Sequence, residues 1–182
     1  FYNCYVLQVD RWPAALESIG HYAFNGCRAM QNLDISGTRI REIGNSAFYQ
    51  CYEARNLAFP ETLETIGTSA FAYLNYNKDA YVTTVHIPAR VTEIAKTAFS
   101  NANRLQAFTV DEANPVYTAS DGILIIKETG ELYIWPTANT TTEFTVPANM
   151  TEIPAKMFQS NSSLKKIYIH SGVTKVGDSA FS

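Results

Sequence analysis

Apolar positions along this chain recur with a period too long for one helix or strand. The six-residue stretch Ile66-Gly67-Thr68-Ser69-Ala70-Phe71 has counterparts at 19–24, 43–48, 94–99, 153–158 and 176–181. Counting Phe1, the phenylalanines step by 23, 24, 23, 28, 59 and 23 residues. Between them runs a second series. Phe48 is followed by Cys51, Ala54, Leu57, Phe59, Leu63 and Ile66, and Phe24 by Cys27, Met30, Leu33, Ile35, Ile40 and Ile43. Self-similarity at a fixed period in the twenties predicts a solenoid, in which each unit buries its apolar side chains only by stacking on its neighbours.

Each unit divides into a strand and a turn. Residues 57–60, 85–88, 144–147 and 167–170 alternate apolar with small or polar, the period-two signature of a half-buried strand. Pro60, Pro88 and Pro147 close three of these strands, since proline has no N–H for the ladder. Gly20, Gly44 and Gly67 then turn the chain, and Asn45, Thr68 and Asp178 are placed to cap one or two helical turns carrying Ala-Phe. Stacked strands build a parallel sheet on one side. Its alternation points Leu33, Leu57, Val85, Phe108, Phe144 and Ile167 inward. The open face receives Asn32, Asp34, Asn56, Ala58, Thr84, His86, Ala107, Thr109, Glu143, Thr145, Lys166 and Tyr168.

The period breaks twice. Residues 75–81, polar and turn-rich, read as a surface loop in which Tyr76 and Tyr81 could make contacts. The larger break spans about 111–143, where the Ile-Gly-x-x-Ala-Phe element is missing. Two apolar runs there, 123–127 and 131–135, flank Glu128-Thr129-Gly130, which predicts a hairpin with Gly130 left-handed. Pairing Lys127 with Glu131 sets Leu124, Ile126, Leu132 and Ile134 on one face, expected to join the core. The other face carries Ile125, Tyr133, Ile123 and Trp135, either structural or an aromatic binding patch.

Composition narrows the function. The chain has 182 residues, is 46% hydrophobic and 17% charged, and carries a net charge of −3 with both signs scattered. That suits a folded chain and argues against a nucleic-acid surface, and no apolar run approaches a membrane span. The chain opens and stops inside a repeat, the expectation for an excerpt of a longer array forming a single domain over 1–182. His21, His86 and His170 lie apart from any ligand spacing, and no nucleophile, phosphate-loop or paired-carboxylate motif occurs. Cys4, Cys27 and Cys51 share one repeat slot that later units fill with Leu74, Ala102 and Asn161, so they read as a column of buried thiols; a disulfide between neighbouring layers would leave one over. Asn139, Asn149 and Asn161 each begin an Asn-x-Ser/Thr acceptor pattern for glycosylation.

The pattern Cys-x-x-Leu-x-x-(Leu/Ile)-x-(Ile/Phe)-Pro followed by Leu-x-x-Ile-Gly-x-x-Ala-Phe resembles the BspA-like, Treponema-type leucine-rich repeat over nearly the whole chain. Asp10 in an apolar slot, and Ala95 and Pro154 in the glycine slot, depart from it. The resemblance implies an α/β, right-handed leucine-rich-repeat solenoid with a parallel sheet on one face, short helical turns opposite and an inserted hairpin. It further implies a secreted or cell-surface bacterial protein that is not an enzyme, needs no cofactor or metal, and adheres to a host extracellular or microbial surface protein. The expected contact residues are Asn32, Asp34, Asn56, Thr84, His86, Thr109, Glu143, Lys166 and Tyr168, with His86 and Tyr168 as anchors. Two other readings stand beside it: a structural spacer presenting another domain, and a glycan-binding protein using exposed Tyr133 and Trp135.

Overall fold

The computed structural model describes residues 1–74 and 82–182, so the loop expected at 75–81, with Tyr76 and Tyr81, lies outside the described residues. In chain order the strands are β1 (Ser18–Ile19), β2 (Asn32–Asp34), β3 (Glu42–Ile43), β4 (Asn56–Ala58), β5 (Thr65–Ile66), β6 (Thr84–Ile87), β7 (Glu93–Ile94) and β8 (Ala107–Val110). They continue as β9 (Tyr117–Ser120), β10 (Ile123–Ile126), β11 (Leu132–Ile134), β12 (Glu143–Thr145), β13 (Glu152–Ile153), β14 (Lys166–Tyr168) and β15 (Lys175–Val176).

The chain winds as a parallel β-solenoid with three walls. One is the expected strand wall, where β2 pairs β4, β6 pairs β8 and β12 pairs β14, each in parallel with Leu33 on Leu57, Val85 on Phe108 and Phe144 on Ile167. A second parallel ladder runs along the Ile-Gly positions: β1-β3-β5-β7, and separately β13-β15. Two-residue strands give too short a run for period-two alternation to register, which is why the pattern of apolar residues pointed to one sheet.

The third wall corrects the expected helical turns: among the described residues there is no helix. Two residues before the repeat phenylalanine the backbone is left-handed, at Tyr22, Ser46, Ser69, Lys156 and Ser179. Two residues after it the same holds at Gly26, Gln50, Tyr73, Asn101 and Ser160. A left-handed residue every fourth position ends any helix before its second turn. The amides divide their bonds accordingly. Some close turns within a layer, as Ala47 N to Gly44 O and Cys51 N to Phe48 O, each 3.3 Å. Others reach the next layer: Ser46 N to Thr68 O at 2.8 Å, Phe48 N to Ala70 O at 2.8 Å and Gln50 N to Ala72 O at 3.0 Å. A helix would satisfy its amides internally, whereas these turns bond layer to layer as a third ladder. The expected caps act between layers too. Asn45 accepts from Thr68 N at 2.9 Å, and Asn45 N donates to His21 Nδ1 at 2.7 Å.

Inside, the phenylalanines form a stack. Phe1, Phe24, Phe48, Phe71 and Phe99 follow one another at 5.3, 5.4, 5.3 and 5.3 Å between ring centroids, with planes within 15° of parallel. Phe158 and Phe181 resume it at 5.1 Å.

The insert between these two stacks is a three-stranded antiparallel meander, in the order β11-β10-β9. Leu124 faces Ile134 as expected and Gly130 is left-handed, but a bulge after Leu124 sets Ile125, not Ile126, opposite Leu132. One residue of slip exchanges the faces. Leu124 and Ile134 enter the core built by the first stack, whereas Leu132 joins Ile123 and Trp135 in a second core with Val146, Ile153 and Phe158. Both faces of the meander are therefore core. The expected Lys127–Glu131 pair does not form, because Lys127 Nζ turns back to Glu112 O (3.0 Å) and Asn114 O (2.8 Å).

The meander also ends the ladders it interrupts. Strand β7 is the last of its sheet, and the Ile94 N–H donates to the Tyr117 hydroxyl at 3.0 Å while the Tyr133 hydroxyl donates to Ile94 O. Two tyrosines thus satisfy a buried sheet edge that would otherwise carry unpaired groups. On the strand wall the Asp121-Gly122 turn lies against β8, with Phe108 N donating to Gly122 O at 2.8 Å. Gly122 has φ +77°, and a Cβ there would stand 2.8 Å from the Ala107 Cβ.

Candidate functional site

The outward residues of the strand wall fall into three patches, because the wall is paired two strands at a time. In the first, Asn32 and Asn56 sit opposite each other and are used by the backbone. Asn56 Nδ2 donates to Asn32 Oδ1 (3.0 Å), Asn56 Oδ1 accepts from Leu33 N (2.8 Å), and Asn32 Nδ2 donates to Asp10 O (3.3 Å). Asp34 folds onto Ser36, whose hydroxyl donates to it at 2.6 Å. These amides align β2 with β4 and keep little hydrogen-bonding capacity for a ligand.

The second patch pairs Thr84 with Ala107 and His86 with Thr109, whose Oγ1 is 3.0 Å from His86 Nδ1. All but Ala107 are exposed. The third holds Glu143 opposite Lys166 and Thr145 opposite Tyr168. The Tyr168 hydroxyl donates to Glu143 Oε2 at 3.1 Å, and Lys166 Nζ lies 4.6 Å from the Tyr168 ring centroid. Tyr168 is 44% exposed, so its ring is held in place by a carboxylate and an ammonium yet stays open to solvent. The two expected anchors are not neighbours: β8, the meander and β12 lie between His86 on β6 and Tyr168 on β14.

The aromatic patch expected from Tyr133 and Trp135 does not form an open platform. Trp135 is 6% exposed, its ring set edge-on to Phe144 at 5.0 Å and Phe158 at 4.7 Å. Tyr133 is half-buried over Tyr117 at 5.4 Å. Burial, and then the nearby Tyr117, raises the Tyr133 phenol to about 12; burial raises Tyr117 too.

Of the cysteines, Cys27 and Cys51 are buried and free, whereas Cys4, expected in the same buried column, is free and exposed. Burial pushes both buried thiols above their ordinary range. Two of the three acceptor asparagines are structural. Asn139 is buried and donates to Gln106 O (3.1 Å) and Asp121 O (2.8 Å); Asn161 donates to Thr137 O (3.2 Å) and Asn139 O (2.9 Å). Asn114, wholly buried, donates to Pro88 O and Val91 O in the same manner. The sequence signal for these corners was the asparagine itself, at the point where a strand should follow. Among the described residues no group of three His, Cys, Asp or Glu is placed to hold a metal ion, and no helix is long and apolar enough to cross a membrane.

Three walls of short ladders around stacked phenylalanines, with a shallow polar strand face, define a repeat protein of the leucine-rich class. Residues 1–120 and 131–182 match the BspA type leucine rich repeat region in six copies, and the chain belongs to that family. Among solved structures it is similar to a leucine rich cell surface protein of Faecalibacterium prausnitzii, with 25% identity, a TM-score of 0.75, and coverage of 100% of this chain and 53% of that one. It is also similar to the pneumococcal vaccine antigen PcpA (27% identity, TM-score 0.77, 92% and 40% covered). A leucine-rich repeat protein of Eubacterium ventriosum gives 29%, 0.71, and 91% and 48%. The chain spans about half the length of these proteins or less. No curated protein matches it.

Proposed function

We propose that this chain is a non-enzymatic binding module of a cell-surface protein and that its strand wall contacts a protein partner, with the Glu143–Lys166–Tyr168 patch as the anchor. The observation that carries the reading is Tyr168, an exposed aromatic ring oriented by two charged neighbours on a strand face. Aromatic residues dominate the energetics of protein interfaces, and a shallow face suits a protein surface better than a small molecule. The description of one similar structure as a cell surface protein, and of another as a pneumococcal vaccine antigen, supports the location and the class. Asp34 and the His86–Thr109 pair would form the rim. The burial of Trp135 removes the platform on which the glycan reading rested.

Tyr168→Ala and His86→Ala, compared singly against an extracellular or microbial surface protein that binds the chain, test the proposal. Tyr168→Ala should weaken binding about 30-fold or more, in line with an aromatic anchor worth about 2 kcal/mol, and His86→Ala much less. Equal, undiminished affinity in both variants would remove the strand wall as the site and place the contact elsewhere on the chain.

A further inference from the structure

The turn wall has a gap one layer deep, and its two sides are hydrogen-bonding opposites. In the uninterrupted part of the wall, the amides of Ser46, Phe48 and Gln50 each donate to a carbonyl of the next layer. The corresponding amides of the layer before the insert are those of Thr97, Phe99 and Asn101. The insert carries no Ala-Phe turn, and among the described residues these three amides have no acceptor. Beyond the gap, the carbonyls of Ala155, Met157 and Gln159 take the places that Thr68, Ala70 and Ala72 hold further up, and among the described residues no donor reaches them.

Between these sides lies an open cleft of about 130 Å³, floored by Tyr133, Ile134 and Trp135 of the meander. A further observation points to the charge of an occupant. Lys96 and Lys156 stand on opposite sides, Lys96 Nζ being 5.5 Å from the Tyr133 ring centroid, so the cleft carries positive charge on both sides.

We propose that this gap binds an extended peptide segment of a partner protein, which inserts as the missing layer of the turn wall. Its carbonyls would accept from Thr97, Phe99 and Asn101, and its amides would donate to Ala155, Met157 and Gln159. This is strand addition transposed to a wall of turns: main-chain groups supply affinity, and side-chain pockets supply choice. The two lysines select a segment with an acidic side chain. A gap one layer deep admits a single chain and no folded element. The site is separate from the strand wall, and neither proposal depends on the other.

The test uses the whole chain and a fluorophore-labelled synthetic peptide with the sequence of residues 176–182, a natural turn of this array that carries Asp178. Fluorescence anisotropy should show saturable binding. Ala155→Trp, which fills the cleft from an exposed position, should weaken it at least about tenfold, with circular dichroism showing the fold unchanged. Asn for Asp178 in the peptide should weaken it about three- to tenfold. Absence of saturable binding, or equal affinity for the Ala155→Trp variant, would show a water-filled groove only and overturn the proposal. Light scattering covers the other occupant: a dimer that Ala155→Trp converts to monomer would make the gap a contact between copies of this chain, and would equally overturn it.

Discussion

At the scale of the residue, the phenylalanine column decides stability. Phe48 is fully buried, with Phe24 and Phe71 stacked on its two faces at 5.4 and 5.3 Å. Truncation opens a cavity that neighbours on both sides are too constrained to fill, so Phe48→Ala should lower the unfolding free energy by about 3–5 kcal/mol in denaturant titrations. The same change at Phe181, half-exposed, should cost under about 1 kcal/mol. The shared cysteine slot predicts unequal chemistry for the same reason of stacking. A thiol reagent should label Cys4 at once and reach Cys27 and Cys51 only on unfolding, since both are buried and their thiols resist ionisation. Tyr117 and Tyr133 give a pH dependence with a definite sign. Their phenols hold protons more tightly folded than unfolded, so the stability they contribute is complete below about pH 10 and is lost as pH rises toward about 12. Urea midpoints for the parent chain should fall across that window, and Tyr133→Phe should flatten the fall.

At the scale of the element, short repeated segments explain what could be read in advance and what could not. The strands at Leu33, Leu57, Val85 and Phe108 were legible because each inward residue has outward neighbours of opposite character. The ladder through Ile19, Ile43, Ile66 and Ile94 was not, since a two-residue strand has no alternation to display. The turn wall misled for a different reason. Ala-Phe at a regular spacing resembles a helical face, and nothing in Ser46 or Ser69 announces a left-handed backbone, which is fixed by bonds to the next layer. At the meander the composition revealed the hairpin and Gly130 its tip, but the bulge that sends Leu132 and Leu124 to different cores depends on tertiary packing. Asn139 belongs at this scale because it ties the insert to its neighbours. Asn139→Ala strands the carbonyls of Gln106 and Asp121 and should cost about 1–3 kcal/mol by thermal or urea unfolding.

At the scale of the molecule, one insert accounts for the break in the strand wall between β8 and β12, the end of the isoleucine ladder, the split core and the gap in the turn wall. The candidate contact residues were legible as a face, because alternation alone assigns outward positions. Their grouping was not, because it follows from where the meander enters: His86 and Tyr168 end up on opposite sides of it. The central claim is that residues 117–135 are a buried partition and not an appended loop. Amide hydrogen exchange tests it most directly. The amides of β9, β10 and β11 should be protected to the same degree as those of β6, β8, β12 and β14, and should open together with the flanking layers. Rapid exchange throughout 117–135, with the flanking strands protected, would contradict it.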